Sequence, residues 1–314
     1  MQHVTALSAG NFFTITVDSG ASGEFNIPTS GLGYDYDVNT SDGQNITNNT
    51  GTLNLIFPDT DTIYTINISG SFPSISISGV SPNDTKLLSI ENFGIYGISS
   101  TAQSNSFRGC SNLIINAVDI GNFENTTIFI RTWRYCSSLT SFPLLNVSSG
   151  TSFSQTWGDC SSLTSFPLLN VSSGTDFSQA WYNCSSLTSF PLLDVSSGTS
   201  FSETWERCSL ITTFPLLDVS SGLDFSLAWF NCTSLTTFPS NFFDNCLATN
   251  LFSAFNNTAL TQTSIDNILV SIESNTTSSG TFNQSGGSAP SATGEAAITD
   301  MRSRGWTITV TGGF

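Results

Sequence analysis

The sequence predicts a mainly β protein: an N-terminal antiparallel β-sandwich, then a solenoid of 24-residue coils, then an α/β cap. Three observations predict it. Residues 10–80 alternate apolar and polar side chains with the period of two that half-buried strands require. Trp133, Trp157, Trp181, Trp205 and Trp229 stand 24 residues apart, and each is followed three residues later by a cysteine (Cys136, Cys160, Cys184, Cys208, Cys232). A fixed period of that length is the mark of stacked coils, because one coil cannot bury its apolar groups alone. Residues 261–314 lose the period and carry helix-capping signals instead. The expected boundaries are 1–98, 99–260 and 261–314.

In the first segment Phe13, Ile15 and Val17 alternate with polar residues. So do Tyr34, Tyr36 and Val38; Leu53, Leu55 and Phe57; Ile66 and Ile68; Ile75 and Ile77. Gly, Asn, Asp and Pro punctuate the runs at Ser19-Gly20, residues 28–33, Asp42-Gly43, residues 48–51 and Phe72-Pro73, where turns form. Six or so short strands imply a sandwich of immunoglobulin-like architecture. Asp35, Asp37 and Asn39 match the start of a calcium loop. Thr40 sits where that loop needs glycine and Ile46 where it needs a bidentate glutamate, so solvated strand faces account for the acids and no metal is expected.

The second segment opens on a degenerate coil, with Phe107 in the Trp slot and Cys110 in the Cys slot. It closes on another, with Phe255 in the Trp slot and Thr258 in the Cys slot. Atypical end coils are expected where an open face must be covered. Counting Trp as zero, position 6 is Leu139, Leu163, Leu187, Ile211 and Leu235, and position 9 is Phe142, Phe166, Phe190, Phe214 and Phe238. Position 11 (Leu144, Leu168, Leu192, Leu216), position 14 (Val147, Val171, Val195, Val219) and position 20 (Phe153, Phe177, Phe201, Phe225) complete the expected inward columns. Residues 139–144 (LTSFPL) are the best strand candidate, although Pro143 and its equivalents cannot donate to a ladder. Asn146, Asn170, Asp194 and Asp218, each followed by Val-Ser-Ser-Gly, read as turns that satisfy their own backbone. Residues 153–157 are too short for more than a turn or two of helix.

In the third segment Ser264 is the expected N-cap of a helix over 264–270. Residues 274–294 are Gly/Ser/Thr-rich and read as a loop, 295–304 as a short helix stopped by Gly305, and 306–310 as a last strand.

Composition excludes more than it assigns. Seven Lys plus Arg face 23 Asp plus Glu among 314 residues, a formal net charge of -16. No basic stripe is left to replace phosphate counterions, so nucleic acid is not an expected partner, nor is an anionic membrane. No apolar run reaches the ~18 residues of a membrane-spanning helix. The first residues carry no basic segment followed by an apolar stretch, so no secretory signal is expected in the sequence as numbered. An outward-facing composition without an export route suits either a mature fragment or a phage structural protein released by lysis. The seven cysteines are odd in number, and six, counting Cys110, share one slot. That pattern reads as buried reduced thiols, with bridges between adjacent coils as the alternative. His3 is the one histidine, so a Ser or Cys nucleophile lacks an imidazole base and zinc lacks a ligand set. No phosphate-binding loop or nucleotide motif is present, and no cofactor is expected. Asp159, Glu203 and Glu206 are the candidates from which a carboxylate pair for glycoside hydrolysis would have to come, but solvated surface acids are the preferred reading.

The run Trp181-x-x-Cys184-x-x-Leu187-x-x-Phe190-Pro191-Leu192 resembles the repeat of the BspA-like leucine-rich repeat surface proteins, with Trp in place of their commoner Phe. The resemblance covers roughly residues 100–260. The N-terminal strands followed by KLLSIENFG (86–94), and the ending SIDNILV…GWTITV, also look like versions of that family in phages and marine bacteria. Of a W-G-D-G turn present in many of them, only Asp42-Gly43 carries over. The resemblance implies a right-handed leucine-rich-repeat-like solenoid of six to seven coils and adhesion at a cell or virion surface, without catalysis. It supplies no binding residues.

Candidate partner-binding positions come from where the copies disagree. Just after each Trp stand Arg134-Tyr135, Gly158-Asp159, Tyr182-Asn183, Glu206-Arg207 and Phe230-Asn231; two before it stand Arg131, Gln155, Gln179, Glu203 and Leu227. Mixed charge, amide and aromatic groups on a repetitive rod suit a recognition patch, and drift at exposed positions is the plain alternative. Thr140-Ser141 and its equivalents form a uniform hydroxyl strip that suits a glycan, a second copy of the chain, or water. The expected function is that of a non-enzymatic phage virion surface component (fibre, tail-tip or capsid decoration protein). Its N-terminal domain would dock on other virion proteins and its solenoid on a host-surface glycan or protein. A bacterial cell-surface adhesin and a purely structural decoration protein are the alternatives, and self-association is left open.

Overall fold

The computed structural model describes residues 12–77, 83–97, 100–121 and 123–314. His3 lies outside them. The chain is β-rich with little helix. Its first region contains β1 (Phe13–Asp18), β2 (Glu24–Ile27), β3 (Asp35–Thr40), β4 (Asn45–Asn49), β5 (Leu53–Ile56), β6 (Ile63–Ser71) and β7 (Leu87–Asn92), with the short α1 (Asn83–Lys86) before β7. One open sheet runs β4-β3-β6-β1-β7-β8, its last strand being β8 (Ile114–Ile115), and β2 and β5 pair separately. The period of two does what it predicts: Phe13, Ile15 and Val17 are buried on β1, and Tyr64, Ile66 and Ile68 on β6, beside polar residues at half-exposed positions. Ile75 and Ile77 are buried without belonging to a strand. Asp35, Asp37 and Asn39 lie on β3, where Asp37 accepts the Asn48 N–H at 2.8 Å. Among the described residues no group of three or more His, Cys, Asp or Glu could hold a metal ion.

β8 (Ile114–Ile115) belongs to the unit of Phe107 yet pairs in parallel with β7, Ser89 opposite Ile114 and Ile90 opposite Ile115. The Asp119 carboxylate accepts the N–H groups of Phe93 and Gly94 at 3.0 and 2.7 Å. The first sheet and the following units are thus joined through backbone. Gly94 has φ +47 and no room for a Cβ against the Phe12 carbonyl, so glycine is required at this junction.

From Phe107 onward each unit hydrogen-bonds to the next, mostly outside the stretch where the strand was expected, which keeps only sparse bonds such as Thr164 N–H to the Thr140 carbonyl. Residues 139–144 and their equivalents form no strand; the one bridge there joins Thr213 and Thr237. The bridges instead run Ala102, Ile128, Ser152, Asp176, Ser200, Asp224 and Asn250, just before the position-20 phenylalanines. The physical reason is the one proline imposes: position 10 cannot donate, whereas the stretch before Trp keeps every N–H. Phe153, Gln155, Trp157 and Asp159 donate to the carbonyls of Asp176, Ser178, Ala180 and Tyr182 at 2.7–2.9 Å. Between them Thr156, Gly158 and Cys160 donate three residues back within their own unit. The backbone therefore serves the neighbouring unit at every second residue while it is turned, not extended. Residues 153–157 are accordingly not helical.

A second correction concerns the leucines. Leu144, Leu168, Leu192 and Leu216, expected inside, are exposed, Leu144 by 59%; Leu145, Leu169, Leu193 and Leu217 are buried, Leu145 to 3%. Leu145, Leu169 and Leu193 each donate to the proline carbonyl two residues back, at 2.9–3.0 Å. That three-residue turn swings the first leucine outward and the second inward. The other columns face the core as expected. Successive Trp rings stack 5.2 or 6.2 Å apart within 14° of parallel, and Phe107 and Phe255 continue the column at its ends. Gly150 and its equivalents press against the rings of Phe153 and its equivalents, which leaves no space for a side chain. Asn146, Asn170, Asp194 and Asp218 accept from the serine two residues on, the turn read from the sequence.

The last region departs from expectation at three points. α2 (Gln262–Ser274) is capped by Thr261, whose hydroxyl accepts from the Ser264 N–H; Ser264 itself is buried and donates to the Thr236 carbonyl. The expected loop holds β10 (Gly280–Gln284), which lies parallel between β9 (Asn250–Phe255) and β11 (Trp306–Thr309). α3 (Ala292–Ser303) begins earlier than expected because Ser291 caps it.

Candidate functional site

Two columns of backbone strain locate the candidate site. The residues two before and two after each Trp have positive φ: Arg131 and Tyr135, Gln155 and Asp159, Gln179 and Asn183, Glu203 and Arg207, Leu227 and Asn231. The incomplete end units repeat this with Asn105 and Gly109, and with Ser253 and Asn257. A left-handed residue stops each turn from continuing as a helix and releases its own N–H to the adjoining unit: Gln155 donates to Ser178 and Asp159 to Tyr182. Glycine is cheapest there, and asparagine or aspartate next; other side chains cost about 1 kcal/mol each. Asp159, Asn183 and Asn231 follow that preference, while Arg131, Tyr135, Gln155, Gln179, Glu203, Arg207 and Leu227 do not. Two of the three variable positions read from the sequence, two before and two after Trp, are therefore left-handed, while the one directly after Trp (Arg134, Gly158, Tyr182, Glu206, Phe230) is not, a coincidence the sequence did not disclose.

The side chains at these positions meet across neighbouring units. Arg131 Nε donates to Gln155 Oε1 at 2.7 Å, and Arg134 Nη1 donates to the same oxygen. Arg134 also pairs with Asp159 at 3.2 Å, and Asn183 Nδ2 donates to the other Asp159 oxygen at 3.0 Å. Gln179 Nε2 donates to Glu203 Oε2 at 2.8 Å, and Arg207 pairs with Glu206 at 3.3 Å. The Arg207 guanidinium lies 5.7 Å from the Tyr182 ring centre. Asn231 accepts from Asn257, and Phe230 is half-buried at the far end. The predicted residues thus form two clusters, Arg131-Arg134-Tyr135-Gln155-Asp159-Asn183 and Gln179-Tyr182-Glu203-Glu206-Arg207, with Phe230 and Asn231 beyond them. Sequence reasoning missed Arg108, whose guanidinium lies 5.7 Å from the Tyr135 ring. It sits one residue after Phe107 and was detectable as the Arg134 equivalent of the degenerate unit.

Glu206 is 6% exposed, and burial, reinforced by the nearby Glu203 carboxylate and opposed by Arg207, raises its pKa to about 7. Burial and then Glu206 also raise Tyr182.

The cysteine slot has a different character. All seven thiols are free and buried, and Cys136, Cys160, Cys184, Cys208 and Cys232 each donate to the carbonyl of the aromatic residue one unit earlier at 3.1–3.3 Å. Burial pushes Cys160 and Cys208 up to about 12 and the other three well above the ordinary thiol range, which suppresses the nucleophilic thiolate. The Thr strip is partly spoken for as well: Thr164, Thr188 and Thr236 donate their hydroxyls to the threonine carbonyl of the preceding unit. Two surface cavities lie elsewhere, about 550 Å³ beside Leu216 and Phe242 and about 440 Å³ beside Pro73 and Ser100.

Comparison with protein-family models, with curated proteins and with solved structures finds no match to this chain. What the chain does has to be read from its own geometry. A shallow face of arginine, carboxylate, amide and ring groups, spread over several units, can grip an extended polar ligand. Among the described residues, no helix is long and apolar enough to cross a membrane.

Proposed function

We propose that the chain is a non-enzymatic surface-recognition protein: a β-sandwich of immunoglobulin-like architecture, a leucine-rich-repeat-like solenoid and an α/β cap, carried on a phage virion. The sandwich docks on other virion proteins and the solenoid presents the face beside the Trp column to the host surface. One observation carries the recognition reading: seven side chains are kept at left-handed backbone positions where glycine or asparagine would relieve strain. Strain retained on one face and absorbed by a stacked core is what a surface under selection for its side chains would show. The buried thiols, bonded to carbonyls and held protonated, support a scaffold role for the cysteines. The acidic, hydroxyl-rich composition and the resemblance to surface proteins support a virion location.

The test has two parts. Antibody to the chain, viewed by immunogold electron microscopy, should decorate virions; label confined to the envelope of uninfected cells would favour the adhesin. Labelled purified protein should bind host cells. Changing Gln155, Gln179 and Glu203 together to glycine should abolish that binding without lowering the melting temperature. Undiminished binding by this variant would sink the assignment of the face.

A further inference from the structure

The chain has seven Lys plus Arg in all, and their distribution is uneven. Lys86 is tied to Ser19, Ser22 and Glu24, Arg302 to the carbonyls of Ile308 and Phe314, and Arg304 to Asp300 and Glu273. The remaining four, Arg108, Arg131, Arg134 and Arg207, all lie on the variable face. Arg108 and Arg134 lie over Tyr135, and Arg131 joins Arg134 through Gln155.

Their partners do not neutralise them. Arg131 and Arg134 share one neutral acceptor, the Gln155 amide oxygen. Arg134 lies 4.8 Å and Arg108 5.7 Å from the centre of the Tyr135 ring, and Arg108 Nε is buried with no hydrogen-bond partner. Among the described residues the one carboxylate paired with any of the three is Asp159. Three guanidiniums against one carboxylate leave a local excess of positive charge on a protein of net charge -16. An amide oxygen and a ring face compensate a guanidinium weakly compared with an oxyanion. The planar fork of arginine matches carboxylate and phosphate in particular.

The surroundings say what carries the anion. Tyr135 is 41% exposed beside the cluster. Gly158, the next unit's equivalent of Arg134, is buried, and a Cβ there would lie 3.3 Å from the Gln179 carbonyl and 3.8 Å from Arg134 Cγ, so no side chain projects between Arg134 and Tyr182. In the adjoining units stand Gln155, Gln179 and Asn183, amides suited to ring hydroxyls. We propose that the Arg108-Arg131-Arg134-Tyr135 cluster binds an acidic saccharide. Its carboxylate or phosphate is held by the guanidiniums, its ring packs beside the exposed Tyr135, and its hydroxyls meet the amides of Gln155, Gln179 and Asn183. This rests on the reading of that face as a recognition surface and names its ligand class.

The test is calorimetric titration of the full chain with three probes: oligogalacturonate for the carboxylate, a glycerol-phosphate teichoic acid for the phosphate, and maltooligosaccharide as the neutral control. One acidic probe should bind and the neutral one should not, with affinity falling several-fold as salt rises from about 50 to 200 mM. Arg131→Gln and Arg134→Gln should each weaken binding about tenfold at unchanged melting temperature. Arg131→Lys, which keeps the charge but loses the fork, should weaken it less; this variant stands in if the glutamine variants fold poorly. Equal binding of the neutral probe, or none of either acidic probe, overturns the proposal. If host cells still bind the protein and acidic probes do not compete, the ligand class is wrong while the recognition face stands; if cells do not bind at all, that face itself fails.

Discussion

Residues 13–92 and the Trp-bearing units both bury aromatic and aliphatic side chains against hydrogen-bonded backbone, yet they meet the backbone's needs differently. In the first region strands are extended, and β1 has β6 on one side and β7 on the other. In the units nothing is extended for long: turns closed within one unit alternate with bonds to the next. The first arrangement leaves its polar outward residues in relaxed conformations, with Asn48 on β4 and Asp61 in a turn as the left-handed exceptions. The second requires a left-handed residue on each side of every Trp. What differs is where strain sits, and in the units it sits on an exposed face. Each buried slot there is also flanked by its own copies, so a substitution disturbs identical neighbours above and below.

The largest expected break is Trp181→Ala, which removes a ring stacked 5.2 Å from Trp157 and 6.2 Å from Trp205 and should cost about 3–5 kcal/mol by chemical denaturation. Trp181→Phe should cost far less, about 1 kcal/mol. It discards an indole N–H that lacks an acceptor, and Phe107 and Phe255 already fill the slot at the ends. Equal costs for the two would mean that stacking is not what the column supplies.

Next comes the leucine pair. Leu169→Ala should lose about 2–4 kcal/mol and Leu168→Ala no more than about 0.5, a contrast read from two thermal melts. Comparable losses would return the first leucine to the core.

The pH dependence of Glu206 follows. Its folded-state pKa of about 7 lies above the ordinary 4.5, so between those values the folded chain holds a proton that the unfolded chain has released. Stability should therefore fall as pH rises from about 4.5 to 7 and level off above. Glu206→Gln should remove that decline and gain about 2 kcal/mol at pH 8. A variant whose melting temperature tracks the wild type across this window would refute the assignment.

The smallest effect compares the two regions directly. Gln179→Gly, at φ +56, should stay within about 0.5 kcal/mol of the wild type, since relief of strain offsets the added freedom of the unfolded chain. Thr65→Gly on β6, where the backbone is extended, should cost about 1 kcal/mol. A loss at Gln179 as large as at Thr65 would show that its conformation carries no strain.

Much of this was legible beforehand where residue identity alone carries the signal. Trp, Cys, Phe and Val recur at fixed slots because stacked copies need the same volume at the same height. The Asn or Asp before Val-Ser-Ser-Gly closes a local turn that needs no distant partner. Arg134, Gln155 and Asp159 stood out because the copies disagree there, although their contacts with one another cross units and were hidden. β10 was missed because its glycine- and hydroxyl-rich residues form a strand only between β9 and β11, and the cap of α2 was placed late because Thr261 and Ser264 are both plausible caps until one is buried.

By itself the sequence determined the 24-residue period, the alternating strands of the first region, the buried thiols and the scarcity of positive charge, since each follows from composition or spacing. Only the tertiary structure decided which of two adjacent leucines turns inward, where the bridges between units run, that the variable positions two before and two after Trp are left-handed, and that four of seven cations share one face. Those depend on backbone dihedrals and on neighbours 24 to 26 residues away, which a one-dimensional pattern does not contain.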